Sequence, residues 1–210
     1  MNKPRAFLTF LIFLLLSLSQ AGCARLFGWD IHAPGILSQN FNHQVQPVSA
    51  RMALHFPPEL LKFQSKDRGG KTADPQTYHI GEALGPMLIE GFQNAFSEFL
   101  FIEIEPTQQI LKQYGVPYLV VVQIKRFDNN VTWRGQGITL VTEAVVLDAG
   151  LNIVGRFEAR GLSDAEKVFA KKGGPQVNLN AAIENNVLAI VQYLQDSIRS
   201  NAWKGTSSST

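Results

Sequence analysis

Residues 118–165, YLVVVQIKRFDNNVTWRGQGITLVTEAVVLDAGLNIVGRFEARGLSDA, carry three consecutive β-forming runs divided by short turn signals. No other feature narrows the fold as much. Tyr118 to Phe127 runs into the turn residues Asp128-Asn129-Asn130. Val131 to Leu147 is a long second run, loosened at Gly135 and Gly137 where a bulge is expected. Asp148-Ala149-Gly150 then turns the chain into a third run, Leu151 to Ala159. Strands in sequence joined by tight turns form an antiparallel meander.

A meander needs cover on at least one face, and two amphipathic segments provide it. Ile80, Ala83, Leu84, Met87, Leu88, Gly91, Phe92, Ala95, Phe96 and Phe99 recur at helical spacing. Pro86 lies inside that pattern, so the helix is expected to begin near Gly85 or to kink there. Ala181 to Arg199 repeats the pattern through Ile183, Val187, Ile190, Val191 and Leu194, with Asn178 or Asn180 as its cap. Arg51 to Phe56 alternates like a strand and Phe101 to Ile104 is a short one. Thr107 to Tyr114 is a short helix closed by Gly115. The stretches 64–76 and 163–178 read as loops. The order β-α-β-α-β-β-β-α predicts an α+β fold, a two-layer sandwich with a mixed sheet and both main helices on one face. Residues 48–203 are expected to form this single domain, after an arm over 23–47 and before a disordered tail over 204–210.

The pleat sorts the meander's side chains. If Val120, Val122 and Ile124 meet Leu88, Phe92 and Phe96 of the first helix, the alternate residues point away. On the third strand Leu151, Ile153 and Phe157 are expected inward. The far face then has an apolar centre at Leu119, Val121, Val141, Val145 and Val154, a candidate partner-binding surface. The competing reading is that the arm 26–47 folds back and covers it with Trp29, Ile36, Leu37 or Phe41.

The N-terminus bears on location. Lys3 and Arg5 precede an apolar run, Ala6 to Leu16, and Ala21-Gly22 lead to Cys23, the only cysteine among 210 residues. A basic start, a short apolar stretch and small residues at the cleavage point make a secretory signal over 1–22. Ala-Gly-Cys resembles the lipobox of bacterial lipoproteins, with Gln20 standing where that motif has an apolar residue. The resemblance implies that Cys23 is lipidated and becomes the mature N-terminus. Ala24 in the following position implies sorting to the outer membrane, with the protein facing the periplasm. An uncleaved membrane anchor, or secretion with a free thiol, would use the same run differently. The strongly apolar part, Ala6 to Leu18, is short of the ~20 residues a spanning helix needs. With Lys3 and Arg5 removed, the 19 basic and 17 acidic residues come to parity. There is no basic stripe, so nucleic acid is not an expected partner.

Catalytic signatures are missing. There is no G-x-S-x-G elbow, Walker loop or H-E-x-x-H sequence. Gly69-Gly70-Lys71-Thr72 lacks the strand and glycine spacing of a phosphate loop. Glu103 and Glu105, with Glu143 near the same face, read as solvated surface charge. His32, His43, His55 and His79 show no i,i+4 pair, and no metal site or cofactor is expected from them. Trp133 is expected to pack beside the bulge, and Trp203 to cap the last helix against the body.

Residues 118–165, followed by an Ala- and Asn-rich helix, are similar to the C-terminal part of YajG-type bacterial envelope lipoproteins. The same layout is similar to that of ABC-transport auxiliary lipoproteins. The likeness is one of apolar spacing and element order, and Cys23 is the one functional residue it carries over. It implies a non-enzymatic lipoprotein, anchored to the membrane by lipid, that binds an envelope protein or assists assembly. The alternative is an accessory subunit of a lipid or polysaccharide export system. A closed apolar pocket between sheet and helices would favour the second reading, and an exposed sheet face the first. A homo-oligomer is left open.

Overall fold

The computed structural model describes residues 29–67, 75–167, 172 and 174–203. In chain order the elements are β1 (Trp29–Ile31), α1 (Gln39–Gln44), β2 (Val48–His55), α2 (Pro58–Leu61), β3 (Ser65–Asp67), β4 (Gln76–Tyr78) and α3 (Ile80–Ala95). They continue with β5 (Phe96–Phe101), α4 (Gln108–Gln113), β6 (Tyr118–Val131), β7 (Gly135–Asp148), β8 (Ile153–Glu166) and α5 (Gly174–Arg199). The main sheet has the order β5-β2-β6-β7-β8. Strand β2 runs parallel to β5 and β6, and β6, β7 and β8 form the antiparallel meander. Helices α3 and α5 pack on one face of this sheet, giving the expected α+β sandwich. A second sheet, β1-β4-β3, was not foreseen, because its three-residue strands lie in stretches read as arm and loop.

The core between the layers is tightly filled. Leu84, Met87, Leu88 and Phe92 from α3 and Ile183, Val187, Ile190 and Val191 from α5 meet Val120, Val122 and Ala144, all at 0% exposure. Polar groups in this interior are paired. Asn186 Nδ2 donates to the carbonyls of Leu140 (3.2 Å) and Ala159 (3.1 Å), and Thr142 Oγ1 donates to Asn186 Oδ1 (2.9 Å). Such satisfaction is what makes a buried amide tolerable. Gln136 Nε2 donates to Tyr78 Oη (2.7 Å) and Asn129 Oδ1 (2.8 Å), and Asn178 donates to the carbonyl of Gln136 (3.0 Å). Burial is the main cause that pushes the Tyr78 phenol far above its ordinary range, so it stays neutral.

Several boundaries differ from the sequence reading. Helix α3 starts at Ile80 and contains Pro86, which lies on its exposed side. The apolar repeat does not continue as helix to Phe99. The chain switches directly into β5 at Phe96, because pairing with β2 (Met52 with Phe99) satisfies the backbone there. The strand expected over 101–104 is therefore β5, five residues earlier. Phe96 still serves the core, its ring 5.5 Å from that of Phe92. Asp128-Asn129-Asn130 is not a turn. Strand β6 runs to Val131, with Asn129 Nδ2 bonded to Asp67 Oδ2 (2.8 Å), and the turn is Thr132-Trp133-Arg134. Strand β8 extends to Glu166 and α5 starts at Gly174, so Asn178 and Asn180 lie within the helix and do not cap it.

The described part of the arm, from Trp29 to Pro47, lies on the helical layer. Phe41 is fully buried and Leu37 nearly so. Asn180 Oδ1 accepts from Gly35 N (2.9 Å), and Glu184 carboxylate oxygens accept from Ser38 N (2.8 Å) and Oγ (2.6 Å). Trp29 and Ile36 stay exposed. The described part of the arm thus does not cover the sheet's far face.

Candidate functional site

Register decides what that far face carries. In an antiparallel ladder directly paired residues share a face. Leu119 pairs with Leu147 and Val121 with Val145 between β6 and β7, while parallel β2 sets Ala53 beside Leu119 and His55 beside Val121. Leu119, Val121, Val141 and Val145 are accordingly on one face. Val154 is not with them. Pairing passes from Val146–Gly155 to Leu147–Ile153, so Val154 is the extra residue of a bulge and packs against the main core. The bulge puts Ile153, half exposed, on the outer face in its place, and Leu151 joins the outer cluster; Phe157 points inward as expected. A second bulge falls at Lys125. The ladder passes Gly135 and Gly137 without a shift, and the expected bulge there does not form.

The outer face is divided into a covered end and an open end. Ile102, Leu111 and Val116 pack with Ala53 and Leu119 into a second, smaller core. Thr107 caps α4 by accepting from Ile110 N (3.3 Å), and Gly115, at φ +60°, turns the chain back toward β6. His55 Nδ1 bonds the Ile102 carbonyl at 2.9 Å and holds this flap down. Leu119 and Val141 are buried, whereas Val121 and Val145 are partly open. A cleft of about 260 Å³ opens along the flap, lined by His55, Glu105, Val121, Gln123, Leu147 and Leu151 among others.

Beyond the cleft the face is charged. Glu143 accepts from Lys125 Nζ (2.9 Å) and faces Arg156 (3.8 Å), and Arg160 pairs with Glu158 (2.9 Å). The apolar centre with a polar margin expected from sequence is instead an apolar half beside a charged half. Glu103 and Glu105 are exposed and outside any strand. Trp133 is 87% exposed at the β6–β7 turn, under the Arg134 guanidinium (4.7 Å), while Trp203 is buried against Tyr118 as anticipated. His43 is exposed on α1. His32 and His79 stack on each other beside Glu82, a juxtaposition that sequence reading missed. The His79–Glu82 spacing of three was legible, but His32 enters only through the parallel register of β1 with β4. Cys23, the signal 1–22, the tail 204–210 and Gly69–Thr72 lie outside the described residues. Among the described residues no helix is long and apolar enough to cross a membrane.

No family model matches the chain, and no curated protein matches it. Solved structures do. Protein XCC0632 from Xanthomonas campestris, of the family DUF330, superposes with a TM-score of 0.52 over 82% of this chain and 95% of its own, at 10% identity. The hypothetical protein CT253 from Chlamydia trachomatis reaches 0.47 over 73% of this chain and 100% of its own, at 9% identity. A minor lipoprotein from Acinetobacter baumannii reaches 0.39 over 72% and 93%, at 11% identity. The likeness to XCC0632 is one of fold. Bacterial lipoproteins are among the similar structures.

Proposed function

We propose that the chain is a non-enzymatic lipoprotein of the bacterial envelope, similar to the YajG type. Lipidated Cys23 holds it in the outer membrane facing the periplasm, and the open half of the outer sheet face binds an envelope protein. The observation that carries this reading is the outer face itself: Val121, Val145, Leu147 and Ile153 stay accessible beside the Lys125–Glu143–Arg156 ladder. Apolar residues next to fixed charges supply contact area and orientation together. The alternative, an accessory subunit sheltering an acyl chain or glycan of an export system, needs room between sheet and helices. The 0% exposure of Leu88, Phe92, Val187 and Val120 there supports the first reading over it.

A photo-crosslinking amino acid at Val121 in intact envelopes tests the proposal. It should give one defined heavier product, and Arg156→Glu should remove that product without changing the melting temperature. Crosslinks from an identical probe at exposed Gln93 on α3, with none from Val121, would refute it.

A further inference from the structure

His32, His79, Glu82 and Asp30 meet where the small sheet joins α3. Strand β1 lies parallel to β4 with Ile31 beside Tyr78, so the residues that follow, His32 and His79, emerge side by side. The His79 N–H donates to the Ile31 carbonyl (3.0 Å) and secures this arrangement. Glu82 stands three residues beyond His79, on the same side of the first turn of α3. His32 Nδ1 is 2.7 Å from Glu82 Oε2, and His79 Nδ1 is 3.1 Å from Glu82 Oε1. The two imidazoles stack with centroids 3.9 Å apart and planes 19° from parallel.

Each ring nitrogen of His79 faces a carboxylate: Nδ1 faces Glu82 and Nε2 faces Asp30. Gln64 Nε2 and Glu82 Oε1 both lie 3.1 Å from His79 Nδ1, and Asp30 Oδ1 lies 3.3 Å from Nε2. A ring carrying its proton on Nε2, toward Asp30, presents its Nδ1 lone pair beside the Glu82 carboxylate, a pair of donor atoms that a metal ion can bridge.

We propose that His32, His79 and Glu82 form a binding site for a divalent transition ion of the Zn²⁺ class. One ligand atom from each residue lies within 4.8 Å of the others. Bonds of about 2.0–2.1 Å in tetrahedral geometry place donors roughly 3.3 Å apart. To reach that geometry the exposed His32 ring turns out of its stack with His79, so that both ring lone pairs converge, and the exposed Glu82 carboxylate follows. Two imidazoles and a carboxylate suit Zn²⁺, Ni²⁺ or Cu²⁺ and not Ca²⁺ or Mg²⁺. Asp30 on the far nitrogen of His79 is the carboxylate partner that metal-bound histidines commonly have. The hydrogen bond from His32 is the main cause holding the Glu82 carboxyl below its usual range. Asp30 and Glu82 together outweigh the positive end of α3 nearby. The bound ion would staple the first strand to the start of α3.

The test uses the full chain in detergent, stripped with a chelator and titrated with ZnCl2 against a chromophoric competitor. One Zn²⁺ per chain is expected, with a raised melting temperature. His32→Ala, at an exposed position, should weaken binding by about 100-fold or more and abolish the thermal shift, while Asp30→Asn weakens it by about 10-fold. His43→Ala should change neither. Failure of the wild-type chain to take up Zn²⁺, or uptake that persists in His32→Ala, would overturn the site.

Discussion

Gly161→Ala should destabilise this protein far more than an added methyl usually does. Gly161 sits in β8 where α5 crosses the sheet at closest approach. A Cβ built there would lie 1.9 Å from the Ala182 carbonyl oxygen and 2.7 Å from the Asn186 backbone nitrogen. Both are helix backbone, so no side-chain rotation relieves the clash. Real Cβ contacts essentially never fall under 3.0 Å, which obliges α5 to retreat by more than an ångström. Overpacking of this kind costs about 1–3 kcal/mol. The retreat also stretches the Asn186 bonds to the Leu140 and Ala159 carbonyls, and a buried polar group left unpaired costs about 1–3 kcal/mol more. Loss of the glycine's freedom in the unfolded chain returns only ~0.4–1 kcal/mol. A net loss of about 1–6 kcal/mol, at roughly 2–4 °C per kcal/mol for a domain of this size, lowers the melting temperature by roughly 2–22 °C. Gly137→Ala is the control. Its Cβ meets Asp164 Oδ1 at 2.6 Å, the end of an exposed side chain that can swing away. Circular dichroism melts of the two variants decide the matter, and equal melting temperatures would refute the close-approach argument.

Two further outcomes are expected. Phe92→Ala removes a fully buried ring that contacts Phe96 and Phe99 and should cost ~3–5 kcal/mol, a large share of a domain's ~5–15 kcal/mol; an unchanged thermal melt would count against the assigned helix face. A palmitate probe in a Gram-negative host should label the wild-type chain and not Cys23→Ser, and equal labelling, or a mature N-terminus elsewhere, would refute lipidation at Cys23.

The sequence by itself determined the layering. Helical spacing from Ile80 to Ala95 and from Ile183 to Leu194, set against three β-runs in succession, left few arrangements other than two helices on a mixed sheet. It also determined the sorting of Val120 and Val122 from Leu119 and Val121, because strand alternation is a local property. Short elements were beyond it. Three-residue strands β1, β3 and β4 have no periodicity of their own and exist only through each other's hydrogen bonds. The switch into strand at Phe96 escaped for a related reason, since the same apolar run suits a helix face and a strand beside β2. Tertiary structure alone decided which residues form each surface. One extra residue at Lys125 and one at Val154 reset the faces beyond them, exchanging Val154 for Ile153 on the outer face. The flap 102–116, and not the described part of the arm, closed one end of that face, because Ile102, Leu111 and Val116 found Ala53 and Leu119 there. His32 reached His79 across 47 residues through the register of a parallel pair. Register and bulges depend on backbone pairing between distant segments, and that pairing leaves little trace in the local pattern of either segment.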